Sequence, residues 1–284
     1  MTILSSDYTL CNEIGNTRTC QNYIDDQMSF DKQIDVPCKC TLNFTLDKDI
    51  YTDKVAIYYG LINFNQNFRF LAQSRSNRQL SGKMKVEEIP RSCASEHNKT
   101  LYPCGHMANL MFDDEFTISY EGGNQTLDLN RFVIAQEESR GYIYKNGPSM
   151  RQNYSKPKRW FKDPFALDQS DASNNGVENG PFIVWMTTST FENFFKLYAL
   201  LTPHDGKLMK GQYKILVDYR YGVHKSGARK LIRIETIGGL GVRNNTFFVC
   251  LSCLSIIYML LYIFIASVVL RQWVSLVQVH DRVP

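Results

Sequence analysis

Apolar residues fall in two regimes along this chain. From Phe247 to Leu270 (FFVCLSCLSIIYMLLYIFIASVVL) they run without a charged residue, proline or glycine, and Arg243 and Arg271 flank the run. At about 1.5 Å per residue, a helix over this run reaches roughly 36 Å, enough to cross a hydrocarbon core of about 30 Å with some tilt. Its Leu, Ile, Phe and Val residues favour insertion and outweigh the three serines and two cysteines among them. The chain therefore reads as an integral membrane protein, with a domain at 1–246, a membrane helix at 247–270 and a short tail at 271–284.

Before the helix the apolar runs are short. Val55 to Tyr59 (VAIYY) is β-branched and aromatic and predicts a buried strand stopped by Gly60. In LINFNQNFRFLAQSR, Leu61, Phe64, Phe68 and Leu71 recur at helical spacing, which predicts a short amphipathic helix with Arg69 and Arg75 open to solvent or a partner. Strands are expected around Phe116–Tyr120 and Arg131–Ala135, separated by Gly122-Gly123. The Asn-, Gly- and Pro-rich stretch from Asn146 to Pro181 predicts a surface excursion anchored by Trp160 and Phe161. Phe182 to Met186 (FIVWM) suggests a strand leading into a helix carried by Phe191, Phe194, Phe195, Tyr198 and Leu201. The clearest β pattern is YKILVDYRY: Tyr213, Ile215, Val217, Tyr219 and Tyr221 alternate with Lys214, Leu216, Asp218 and Arg220. Lys230 to Thr236 is expected to be its hairpin partner across Gly227. The fold class predicted is mainly β, an antiparallel, jelly-roll-like sandwich with short helices.

Cysteines set the compartment. Cys11, Cys20, Cys38, Cys40, Cys93 and Cys104 precede the helix, and Cys250 and Cys253 lie inside it as small packing residues. Six cysteines ahead of a membrane span fit full pairing in an oxidising compartment, although spacing alone allows fifteen pairings. Residues 1–40, polar and Cys-punctuated, are expected to be held by disulfides more than by a core. The sequons at Asn43, Asn98, Asn124 and Asn153 agree with a non-cytosolic domain, while Asn244 lies too near the membrane for modification. Met1 to Leu10 has no apolar core long enough for a signal peptide.

Net charge is only +4, with no polybasic run or zinc-finger spacing to support nucleic-acid binding. No G-x-S-x-G, phosphate loop or H-E-x-x-H occurs, and the five histidines are scattered, so an ectoenzyme has no supporting constellation. Gly238-Gly239-Leu240-Gly241 leads into the membrane run and reads as a hinge. Cys38-x-Cys40 favours disulfides over zinc, and Asp113-Asp114-Glu115 a solvated loop over a cation site.

Several segments together resemble one family, the cell-division-control protein 50 family, accessory beta subunits of type-four P-type ATPase lipid flippases. Tyr58 to Phe70 (YYGLINFNQNFRF) is similar to its Y-Y-G-L-x-N-F-Y-Q-N-H-R-R-Y motif, and Pro103 to Asp114 (PCGHMANLMFDD) to its P-C-G-x-x-A-N-S-x-F-N-D motif. Asn174-Asn175-Gly176, FIVWMTT from Phe182 to Thr188, Lys196-Leu197-Tyr198 and LGVRN from Leu240 to Asn244 match further motifs, in order. Asn65, Phe68, Leu110 and Val242 depart from the family pattern, which marks a divergent member. The resemblance implies a second membrane helix ahead of the domain, so the sequence reads as truncated at its N-terminus. It also implies the pairs Cys11–Cys40, Cys20–Cys38 and Cys93–Cys104.

Function follows as an expectation from the resemblance. The chain would be a non-catalytic beta subunit, without cofactor or metal, that binds a flippase alpha subunit. It would assist that subunit's folding and exit from the endoplasmic reticulum and support movement of membrane phospholipid. Its bulk would be lumenal or extracellular, in the endoplasmic reticulum, Golgi or secretory vesicles and plasma membrane. Candidate contacts are Tyr59, Asn63, Phe64, Asn67 and Arg69, the pair Trp160 and Phe161, and the membrane helix; packing within the domain's own core competes as an explanation of the aromatics. The alternative is a free-standing cell-surface receptor or adhesion module.

Overall fold

The computed structural model describes residues 2–27, 36–84, 93, 99–123, 125–135, 139–148, 154–223, 227–238, 241–242 and 245–280. The chain divides into two compact units, Thr2–Gly239 and Leu240–Pro284.

The first unit is built on two antiparallel sheets. One has the order β1 (Thr2–Asp7), β7 (Arg229–Gly238), β3 (Lys54–Ile62), β5 (Phe194–Leu201). The other runs β2 (Cys38–Leu46), β6 (Gly211–Tyr219), β4 (Glu115–Tyr120), with a short pairing of β4 to Gln125–Thr126. The alternation in β6 is realised as read: Tyr213, Ile215, Val217 and Tyr219 are buried, and Lys214 is exposed. Opposing faces meet in one aromatic-rich core, where the Phe116 ring of β4 stands edge-on to Tyr198 of β5 at 4.8 Å. The Tyr198 hydroxyl also accepts the Phe116 backbone N–H at 3.0 Å.

Four expectations are corrected. The β3 strand passes through Gly60 to Ile62, because the Phe195 ring of β5 lies where a side chain at 60 would stand, 2.5 Å from a Cβ built there. Backbone turns instead at Asn63, which adopts φ +57 and is tied by Asn193 Oδ1 and the Gly227 carbonyl. The helix expected over 61–75 accordingly shrinks to one turn, Arg69–Ala72, with Arg75 donating to the Met186 carbonyl at 3.4 Å. The elements over 180–201 are inverted. Gly180–Met186 is a helix, capped by Asn179 and opened by Pro181, whereas Phe194–Leu201 is a strand. Residues 131–135 form a turn, bonded by the Asn130 side chain to the amides of Phe132 and Val133.

The hairpin expected between β6 and β7 is also absent. Each is flanked on both sides by other strands, and the connection carries the chain from one sheet to the other, burying Tyr221 and Val223 on the way. Nor are residues 1–40 held by disulfides alone, since β1 pairs with β7 and Tyr8 and Ile24 are fully buried. The three bridges are Cys11–Cys40, Cys20–Cys38 and Cys93–Cys104. Cys11, Cys20 and Cys40 sulfurs cluster within 4.8 Å because the first two bridges are nested, which leaves no thiolate there for a metal.

The second unit holds one long helix, Asn245–His280, with an apolar span from Val249 to Trp273 long enough to cross a membrane. Two of its serines pair within the helix: Ser255 and Ser267 hydroxyls donate to the carbonyls of Ser252 and Phe264 at 2.8 and 2.7 Å. That removes the cost of an unpaired hydroxyl in an apolar surrounding. Cys250 and Cys253 are exposed and unbridged on it. Residues 239 and 240 of the expected hinge lie outside the described residues.

Candidate partner-binding site

Three segments far apart in sequence, Tyr58–Phe70, Pro103–Asp114 and Phe182–Thr188, converge. Gln66, fully buried, donates to the Trp185 carbonyl at 2.8 Å and accepts the Ser189 N–H at 3.0 Å. Trp185 in turn donates from its indole to the Met107 carbonyl at 2.7 Å, and Trp160 donates to the Ala108 carbonyl at 2.8 Å. The one-turn helix His106–Asn109 is thus the hub that both tryptophans grip. Gly105 opens that helix at φ +100 against the Ser74 carbonyl, a position no other residue type fits.

Lys196 closes the opposite end of the 180–186 helix. Its ammonium donates to the carbonyls of Val184, Trp185 and Thr187 at 3.0, 2.7 and 2.6 Å, where the helix presents unpaired acceptors and the negative end of its dipole. Burial pushes this lysine down to about 7.

Asp113-Asp114-Glu115 is not a solvated loop. Asp114 is fully buried and accepts four hydrogen bonds, from Lys230 Nζ at 2.5 Å, Tyr8 Oη at 2.9 Å, and the backbone N–H groups of Arg220 and Tyr221 at 2.7 Å each. Lys230, equally buried, also donates to the Tyr221 carbonyl at 2.7 Å, and its ammonium lies 3.0 Å from the Tyr219 ring centroid. Burial lowers Lys230 to about 8 against the opposing pull of Asp114, and burial with the Asp114 charge raises the Tyr8 phenol. Nothing in the local sequence marks Asp114 as this residue. Its partners come from positions more than a hundred residues away.

The expected contact residues separate into two groups. Tyr59 is buried, stacked on Phe112 at 4.0 Å, and Trp160 is buried against Phe182. Phe64 is half-buried beside Trp185 and Phe194. Asn63, Asn67 and Arg69 are exposed, and Phe161 is 39% exposed beneath the Arg220 guanidinium. The motif also exposes two aromatics not named among the candidate contacts, Phe68, read from sequence as part of a helical apolar stripe, and Phe70, each 59% exposed, with the Phe70 ring 4.7 Å from that of exposed His106. The stretch from Asn67 to Phe70 is therefore an aromatic and cationic surface standing on a rigid buried knot. The Asn146–Pro181 stretch is more than a surface excursion, since Asn174, Asn175 and Asn179 are buried: Asn179 donates to the Asn174 carbonyl at 2.7 Å, Asn174 Oδ1 accepts the Gly180 N–H at 2.8 Å, and Asn175 donates to the Asp168 carbonyl at 2.9 Å. Asn43 is exposed on β2; Asn98, Asn124 and Asn153 lie outside the described residues.

The arrangement is that of a disulfide-stapled β domain joined to an apolar helix, with its recurrent motifs spent on a packed interior and one exposed face. The profile of the LEM3 (ligand-effect modulator 3) family / CDC50 family matches residues 1–272, and the chain belongs to that family. It is 35% identical over 226 residues to cell cycle control protein 50A of Mus musculus, covering 73% of this chain and 62% of the relative. Cell cycle control protein 50C of Bos taurus is 32% identical, covering 77% of this chain and 66% of the relative. The phospholipid-transporting ATPase accessory subunit CRF1 of Saccharomyces cerevisiae is 30% identical, covering 72% of this chain and 53% of the relative. The chain thus spans less than two thirds of the length of each of these relatives.

Proposed function

We propose that this chain is a non-catalytic accessory subunit of a phospholipid-transporting P-type ATPase. It would bind the catalytic subunit, assist its folding and exit from the endoplasmic reticulum, and support phospholipid translocation. The observation that carries this reading is family membership over residues 1–272, shared with a yeast protein named as such an accessory subunit. The geometry is consistent with it: Asp114, Lys196 and Lys230 are each engaged by protein partners.

In this reading Asn67, Phe68, Arg69 and Phe70 form the contact surface, with the apolar helix packing beside the partner's membrane helices. A glycan at Asn43 would stand on β2, an edge strand whose unpaired side it would protect from association. Co-expression of the full chain with a flippase alpha subunit should give a complex that survives detergent extraction and size-exclusion chromatography. Recovery of this chain only as a free monomer would overturn the reading.

A further inference from the structure

Beside the start of β4 the domain holds a cavity of about 70 Å³ whose walls include Asp113, Glu115, Arg131, Phe161, Lys162 and Arg220. A single water needs about 10–15 Å³ of such volume, so the space admits a group of several heavy atoms. Two guanidinium groups stand in its walls, that of Arg220, which is 7% exposed, and that of Arg131. Each guanidinium is fixed by an aromatic face, Arg131 over Tyr198 at 4.5 Å and Arg220 over Phe161 at 4.8 Å, so neither can swing away to find a partner without losing that packing.

The charge balance favours an anion. Glu115 is already engaged, by Lys162 at 2.7 Å and more distantly by Arg220 at 3.4 Å. Asp113 is pushed up to about 7 by burial and by the neighbouring Asp114 charge, so near neutrality it is only partly ionised. Three cations therefore face one full carboxylate and one partial one. An oxyanion is the partner whose geometry a fixed guanidinium matches best.

We propose that this cavity binds a small oxyanion of the phosphate or sulfate type, held by the guanidinium groups of Arg131 and Arg220. The site is independent of the proposed subunit role. Its ligand could be a free anion or the phosphate of a soluble headgroup fragment. Asp113 gates it. Besides Asp114 and Glu115 on its own segment, Asp113 faces Arg159, Arg220 and Lys230, with Arg131 and Lys162 across the cavity. The arginines keep their charge as Asp113 ionises, so its carboxylate competes with the bound anion for them, while Lys230, lowered to about 8, loses part of its charge at the upper end of the range; both changes weaken binding as pH rises through neutrality.

Sulfate is the probe of choice, because its charge is constant over the range where Asp113 titrates. The test is calorimetric titration of the full chain in detergent with sodium sulfate at fixed ionic strength, at pH 6 and pH 8.5. One saturable site is expected, several-fold weaker at the higher pH. Arg131→Gln should weaken it by about tenfold or more, the worth of one charged hydrogen bond, and Asp113→Asn should reduce the pH dependence to the smaller part left by Lys230 while leaving binding intact. A parallel titration with glycerol 3-phosphate separates the sources: tighter binding than inorganic phosphate assigns a headgroup fragment, equal or weaker binding a free anion. Should Arg131→Gln fold poorly, the pH profile of Asp113→Asn alone decides. Absence of saturable sulfate binding, or binding that neither variant alters, would overturn the proposal.

Discussion

Asp114 shows how much one side chain can organise. Its carboxylate receives donors from Tyr8 just after β1, from Lys230 on β7, and from the backbone just after β6, and so joins the two sheets at one point. Removing a partner from a buried pair leaves the other uncompensated, at about 3–5 kcal/mol. Asp114→Asn should therefore destabilise the domain by that amount. Lys230→Met should cost less, since the Asp114 carboxylate keeps a hydroxyl and two backbone donors; denaturant melts of the two variants check this order, and a milder Asp114→Asn would contradict it. Lys196 has its own signature. Its folded value of about 7 lies below the ordinary 10.5, so between those values the unfolded chain binds the extra proton and stability should rise with pH. Each such group contributes at most about 1.4 kcal/mol per pH unit. Lys230, lowered to about 8, adds to the same rise. Lys196→Met should reduce the slope between about pH 7 and 10 without abolishing it, and an unchanged slope would remove Lys196 as its source.

At the scale of elements, legibility followed periodicity. Alternation in β6 was readable because one face is wholly buried and the other meets water. FIVWM was misread because a continuous apolar run has no period to distinguish a buried helix from a strand; the deciding signal lay outside it, in the Asn179 cap and Pro181. Phe191 to Leu201 was misread for the converse reason, since the buried Lys196 hid its period of two. The exchange of β7 between sheets was not legible locally, because it is decided by β1 and β3 competing for its edges. The disulfide pairs became readable only through resemblance to the family. The outer bridge spans 29 residues, worth roughly 3.5 kcal/mol in the loop-entropy estimate. Cys11→Ser with Cys40→Ser should lower stability by about that amount or less, because the nested Cys20–Cys38 bridge already restricts the same loop. A larger loss in equilibrium unfolding would show native packing lost as well.

For the molecule as a whole, the contact residues read from sequence have to be re-sorted by exposure. Tyr59 and Trp160 hold the interior, whereas Phe68, Arg69 and Phe70 present side chains to solvent from a short helix seated beside His106–Asn109. Large exposed aromatics beside an arginine are the residues that carry energy in protein interfaces, with losses of 2 kcal/mol or more on truncation, about 30-fold in affinity. Truncating buried aromatics acts instead through folding, at about 3–5 kcal/mol. The two classes can be told apart by measuring stability and assembly on the same variants. Phe68→Ser with Phe70→Ser should leave the unfolding midpoint nearly unchanged and lower recovery of the complex with a flippase alpha subunit. Trp160→Ala should lower both together. If the exposed pair leaves complex yield intact while the midpoint holds, the partner docks elsewhere, and the exposed face of Val249–Trp273 becomes the next surface to mutate.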